Sequence, residues 1–253
     1  MSNNPSQIPV QPIAFEYPLS NFAECLQSLG PVKIVALGSS TTAGEGGIVA
    51  YPYRLEALLR AQYPDLMIDV LNRGIGGQEA PTEFARLERD VIAEQPSLVI
   101  WQVGTNAVWQ SRDQNPPSLG ETIEAVREGL LCLLDGEYTD VILMDLQFVP
   151  ALLTPAKIDA ANEMVSALAT VARELKVNVF RRFELMRGWH EVEKISFDLI
   201  VDPGDLDRLH DSDWATQRLA RALKDEIAPV CRVKDCGAVG NYLGKPNNEL
   251  EAR

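Results

Sequence analysis

Histidine is nearly absent: the chain of 253 residues has two, His190 and His210, so any imidazole general base is one of these. Cysteine is scarce as well. The four present, Cys25, Cys132, Cys231 and Cys236, form neither a C-x-x-C pair nor a Cys/His cluster, which argues against a structural zinc site. Cys25 and Cys132 lie in apolar sequence and are expected to be inert, while Cys231 and Cys236 could pair across a short loop in an oxidising compartment. No apolar run approaches the length needed to span a bilayer. Residues 1–20, rich in Asn, Pro and Gln, lack the basic and apolar regions of a signal peptide. The default location is therefore the cytoplasm, with the periplasm or exterior possible if a leader has been trimmed. Basic residues are outnumbered, 23 against 36 acidic ones, and are scattered rather than gathered into a stripe. The resulting charge of −13 repels phosphodiester backbones and anionic lipid headgroups, so nucleic acid is not an expected partner. Neither a G-x-x-x-x-G-K-S/T loop nor a G-x-G-x-x-G turn is present, which weakens a nucleotide-binding reading.

The chain does contain five short runs rich in Val, Ile and Leu, at residues 32–37, 67–71, 98–103, 141–147 and 177–180. They have the look of strands buried on both faces. Between and after them, residues 51–63, 82–93, 119–134, 156–175 and 213–227 carry apolar residues at helical spacing. This alternation predicts an α/β fold, a parallel sheet covered on both sides, with ligands collecting outside the carboxyl ends of the strands. One domain is expected over residues 21–230, between a poorly ordered segment 1–20 and a polar tail 231–253.

Chemistry-bearing groups follow the strands in turn. After the first comes Gly38-Ser39-Ser40-Thr41-Thr42-Ala43-Gly44, a small-residue turn that exposes a hydroxyl beside a free backbone N–H. After the second, the glycines of Asn72-Arg73-Gly74-Ile75-Gly76-Gly77-Gln78 let the backbone approach a ligand closely. Each of these turns also has a purely structural explanation, as a tight βα connection. After the third strand, Asn106 could donate its carboxamide N–H to developing negative charge or could simply cap a helix. His210 precedes the last helix. Asp207, three residues before it, can fold back and accept the imidazole Nδ1–H. A cation site built from Asp202, Asp205, Asp207 and Asp211 lacks the D-x-D-x-D-G spacing of calcium loops. His190 has no such partner and is expected to be structural or at the rim. Trp109, Phe148, Val149 and Trp189 are possible mouth residues or hydrophobic loop anchors.

With these blocks in order, the chain resembles the SGNH, or GDSL-type, hydrolases. Gly38-Ser39-Ser40 is similar to their block I, Asn72 to Gly77 to block II, Gly104-Thr105-Asn106 to block III, and Asp207-Arg208-Leu209-His210 to block V. The resemblance implies a three-layer α/β/α sandwich, flavodoxin-like, with strand order 2-1-3-4-5. It further implies Ser40 as nucleophile, His210 as base and then acid, and Asp207 as its orienting partner. The oxyanion hole would be the N–H of Ser40, the N–H of Gly77 and the side chain of Asn106, with no metal or organic cofactor. The implied reaction is serine-dependent ester hydrolysis through an acyl-enzyme, on a small or short-acyl ester such as an O-acetylated carbohydrate. An acyltransferase with the same residues and a non-catalytic carbohydrate-binding relative are the alternatives. Three positions depart from the family pattern: Ser39 stands where Asp is usual, Ala107 where Asp is common, and Arg208 where Gly is usual.

Overall fold

The computed structural model describes residues 14–230 except Leu29 and Glu137, with the side chains of Arg112 and Val230 also left out. Cys231, Cys236 and the predicted tail lie outside the described residues. Helix α1 (Ser20–Gln27) is followed by β1 (Val32–Gly38), the short α2 (Ser40–Ala43) and α3 (Tyr51–Gln62). Then come β2 (Ile68–Gly74), α4 (Ala80–Phe84), α5 (Leu87–Asp90), β3 (Leu98–Gln102), α6 (Thr105–Trp109) and α7 (Leu119–Leu134). The chain continues through β4 (Asp140–Met144), α8 (Ile158–Glu174), β5 (Asn178–Phe180), α9 (Arg182–Glu191), α10 (Phe197–Ile200) and α11 (Asp213–Val230). The five strands form one sheet in the order β2-β1-β3-β4-β5, and every pairing is parallel. The expected three-layer α/β/α architecture is the one observed.

The apolar runs become central strands because helices cover both faces of the sheet. In β3 all five residues are buried, and in β1 only Lys33 is partly exposed. Helices α3 and α11 pack together, as do α4, α7 and α8. Helix α7 starts cleanly because Ser118 and Glu121 form a capping box. The helix expected over residues 82–93 is instead broken into α4, α5 and a single 3₁₀ turn. The break falls where Arg86 turns inward: its guanidinium donates to Gly38 O, Arg73 O, Gln78 Oε1 and Asp90 Oδ2. Those bonds tie the carboxyl ends of β1 and β2 to the segment that follows.

The N-terminal edge also differs from expectation. Residues 14–20 are not a loose end, because Phe15 and Leu19 are buried in the core. The N–H groups of Glu16 and Tyr17 both donate to Asn178 Oδ1 at 3.0 Å, and Asn178 Nδ2 donates to Tyr17 O at 2.8 Å. Asn178, at the start of β5, thus substitutes a side chain for a further strand partner. Cys132 is exposed rather than enclosed in apolar surroundings.

Candidate active site

The turn after β1 is clamped from below. A Cβ at Gly74 would come within 2.2 Å of Ala43 N, so only glycine lets α2 lie this close to the end of β2. Asn72 Nδ2 donates to Thr42 O at 2.7 Å and to Ala43 O at 3.3 Å, while its Oδ1 accepts from Gly74 N at 2.9 Å. Within the turn, the hydroxyls of Ser39, Thr41 and Thr42 point inward, all within 3.2 Å of Gln102 Oε1. Ser40 alone turns its hydroxyl outward to an imidazole: His210 Nε2 lies 2.9 Å from its Oγ. Ser39, with its Oγ held by Gln102, is a buried brace.

His210 sits in the loop between α10 and α11. Its peptide oxygen accepts from Asp202 N at 2.9 Å, and Val201 bridges Asp211, so the loop is closed at its neck. The carboxylate expected behind the imidazole is that of Asp207; the one that touches the ring in the structure is that of Asp205. Asp205 Oδ2 lies 2.9 Å from His210 Nδ1 and also accepts from the N–H groups of Leu209 and His210, both at 2.7 Å. Asp207 contributes its backbone N–H to Asp205 Oδ1 at 3.1 Å, and its own carboxylate is exposed with no hydrogen-bond partner among the described residues. The physical reason lies in the turn. Arg208, where the family pattern has glycine, adopts a left-handed φ of 55°, and the N–H groups on either side of it converge on Asp205. Burial raises the Asp205 pKa, but the N–H groups of His210 and Leu209 and the imidazole charge outweigh it and hold the carboxyl below its ordinary value. His190 is structural: its Nδ1 is 2.9 Å from Ile195 O and its ring stacks on Phe197 at 3.8 Å.

Three N–H donors stand at the same edge of the sheet. Ser40 N–H opens α2 and has no acceptor within the helix. Gly77 has φ 75°, and a Cβ there would meet no atom within 4 Å, so the space beside its Cα is open. Asn106, in α6 and 4% exposed, donates one Nδ2 hydrogen to Gln78 O at 2.7 Å and keeps the other. Gln110 Nε2 donates to Gly77 O at 3.2 Å, a second tie between the loops after β2 and β3. Both bonds fix the Gly77 turn against Asn106.

Beneath these groups lies a buried polar layer that sequence inspection missed. Gln147, just past β4, accepts from Thr105 Oγ1 and from Arg182 Nη2, both at 2.7 Å, and donates to Leu209 O at 3.2 Å. Arg182, fully buried at the start of α9, also donates to Asp145 O, and its Nη1 lies 3.4 Å from Thr41 Oγ1 and 3.7 Å from Asp211 Oδ2. The layer therefore links the Ser40 turn to the His210 loop. The available signal was a glutamine interrupting or ending an apolar run at 102 and 147, since a polar group in a strand buried on both faces must find partners. Phe148, Val149 and Trp189 are buried in the core and line no mouth, and Trp109 is half-buried with Lys157 Nζ 5.7 Å from its ring centroid. Among the described residues there is no group of three or more His, Cys, Asp or Glu side chains arranged to hold a metal, and no helix is long and apolar enough to cross a membrane.

Residues 5–232 match the model of the Non-GDSL lipase-like family. The chain belongs to that family. Of the resemblance read from the sequence blocks, the part this match shows is membership of an esterase family. Among curated proteins, this family member is 40% identical over 88 residues to an acetylxylan esterase of Geobacillus stearothermophilus. That match covers 32% of the chain, and the chain spans only 39% of the length of that relative. Among solved structures, Axe2, an acetylxylan esterase from the same organism, aligns over 79% of this chain and 95% of its own, with 26% identity and a TM-score of 0.63. An α/β hydrolase from the metagenome of Lake Arreo, 19% identical over 81% of this chain and 99% of its own, shares the fold with a TM-score of 0.66. Matched forms of Axe2 include three described as catalytic mutants, in which a serine, a histidine and the aspartate three positions before that histidine are each replaced by alanine. In the present chain that spacing falls on Asp207, whereas the carboxylate touching His210 is Asp205.

Proposed function

We propose that this protein hydrolyses short-acyl esters, acetyl esters of carbohydrates foremost, through an acyl-enzyme on Ser40. The observation that carries the proposal is the chain of contacts from Ser40 Oγ to His210 Nε2 and from His210 Nδ1 to Asp205, each 2.9 Å long. An isolated serine hydroxyl is a poor nucleophile, and an imidazole at this distance can take its proton as the attack on the carbonyl proceeds. Asp205 fixes the tautomer that leaves Nε2 unprotonated and stabilises the imidazolium once formed. The tetrahedral oxyanion is received by the N–H of Ser40, the N–H of Gly77 and Asn106 Nδ2. His210 then returns its proton to the departing alcohol. In the second half, water loses a proton to the same imidazole and attacks the acyl-enzyme, releasing acetate and free Ser40.

The acetyl-carbohydrate assignment draws support from the acetylxylan esterase activity named for the matches from Geobacillus stearothermophilus, and the site arrangement retains the SGNH-type order of blocks as our assignment. The orienting role goes to Asp205 because of contact; the aspartate spacing in Axe2 favours Asp207 as a second reading. The test is release of acetate from acetylated xylo-oligosaccharides, beside p-nitrophenyl esters of increasing chain length. Turnover of the sugar ester that vanishes in Ser40→Ala, with activity on aryl esters falling as the acyl chain lengthens, is the expected result. Acetate release that survives in Ser40→Ala, or equal activity on long chains, would defeat it. Product analysis with an added alcohol acceptor separates hydrolysis from acyl transfer.

A further inference from the structure

Glu45 follows the nucleophile helix and lies against the site. A Cβ at Gly76 would come within 1.9 Å of Glu45 Oε1, so the carboxylate rests directly on the backbone next to Gly77. Its other oxygen, Oε2, is 3.7 Å from His210 Nε2, the nitrogen that faces Ser40. The side chain is 49% exposed, and among the described residues no Lys or Arg pairs with it. Arg208, two residues before His210 in sequence, pairs with Asp198 at 2.9 Å.

The position of Glu45 relative to the reaction follows from the role of Nε2. That nitrogen hands its proton to the departing alcohol, so the ester oxygen must come within hydrogen-bonding reach of it. A carboxylate oxygen 3.7 Å from the same nitrogen therefore stands beside the alcohol half of the substrate. The hydroxyl next to an esterified position on a sugar is a donor within reach of that place, and an ionised carboxylate accepts from hydroxyls strongly. A negative group on the alcohol half would meet Glu45 and also Asp202, whose Oδ2 closes over Gly46.

We propose that Glu45 is the residue that selects the alcohol half of the substrate, accepting a hydrogen bond from a hydroxyl adjacent to the ester and repelling anionic alcohols. This rests on the carbohydrate-ester reading of the site. It assigns a substrate class, neutral vicinal diols carrying one acyl group, to a residue outside the catalytic contacts.

The experiment compares the full chain with Glu45→Gln and Glu45→Ala, measuring kcat and KM for an acetylated xylo-oligosaccharide, for p-nitrophenyl acetate, which has no hydroxyl, and for acetylated glucuronic acid. The ratio of kcat/KM on the sugar ester to that on the aryl ester should fall about 10-fold or more in Glu45→Ala, mainly through KM, as expected for loss of a hydrogen bond to a charged group. Discrimination between the neutral and anionic sugar esters should narrow in both variants. A sugar-to-aryl ratio unchanged within about threefold, while the wild type still deacetylates the sugar, overturns the role of Glu45 alone. A wild type that cleaves the aryl ester and no acetylated sugar overturns the substrate reading, and the role of Glu45 with it.

Discussion

Beneath Ser40, the side chains of Gln102, Gln147 and Arg182 are almost completely withdrawn from solvent and bonded to one another's neighbours, whereas at the rim Glu45 and Asp207 stand in water. The two regions handle polar groups in opposite ways. A buried amide or guanidinium is costly unless it finds partners, so the floor bonds these groups to the Ser40 turn and to the His210 loop, although Asp211 Oδ1 in the same layer has no hydrogen-bond partner among the described residues. A rim carboxylate costs almost nothing to leave unpartnered, and is free to meet a substrate. Asp205 lies on the boundary between the two. Its side chain is 11% exposed and accepts four hydrogen bonds, which makes it a member of the rigid layer, while its sequence neighbour Asp207 belongs to the rim.

This contrast is open to breakage. The largest effect should come from Ser40→Ala, which removes the group the floor exists to hold: kcat/KM on p-nitrophenyl acetate should drop by about 10⁴-fold or more with the fold unchanged by circular dichroism. Next, Asp205→Asn should cost about 10³- to 10⁴-fold in kcat, because the imidazole loses its orienting charge. Asp207→Asn should stay within about threefold of wild type. If the two swap, the carboxylate spacing seen in Axe2 governs this chain too and the boundary has been drawn through the wrong residue. Within the floor, Arg182→Met leaves Asp211 and the Gln147 carbonyl oxygen without their cation and should lower stability by about 3–5 kcal/mol in urea unfolding. A loss below about 1 kcal/mol would mean that the layer is not a network.

The smallest effect is one of pH. Burial pushes the Asp145 carboxyl up to about 7, against the opposing pull of the Phe183 N–H and Arg182. Its folded pKa thus lies above the unfolded value of about 4. Between those limits the folded chain keeps a proton that the unfolded chain has released, so stability falls as pH rises through the window. Asp145→Asn, which keeps an acceptor for Phe183 N–H, should flatten that slope by an amount of the order of 1–3 kcal/mol between pH 4 and pH 8. An unchanged slope in urea titrations would place the titration elsewhere.

Strand and helix alternation was legible because runs such as residues 98–102 contain almost nothing but large apolar side chains, and a segment of that kind must be covered on both faces. That Ser40 and His210 meet was legible for related reasons: the small-residue turn is distinctive, and only two histidines compete. Asp205 was not. Three aspartates lie within residues 202–207, and which of them meets the imidazole depends on the left-handed turn at Arg208, a backbone state that an arginine does not advertise. The broken helix at Arg86 and the core position of Phe148, Val149 and Trp189 were hidden for a similar reason. Each depends on what a side chain meets across the sheet rather than on its neighbours in sequence.

The central claim is that Ser40 is the hydroxyl activated by His210, and the most direct measurement is covalent. The intact protein is treated with a fluorophosphonate and the adduct is located by mass spectrometry, beside Ser40→Ala and Asp205→Asn. The predicted result is one adduct per chain on Ser40, absent in the first variant and formed far more slowly in the second. An adduct on Ser39, or none on folded wild-type protein, would contradict it.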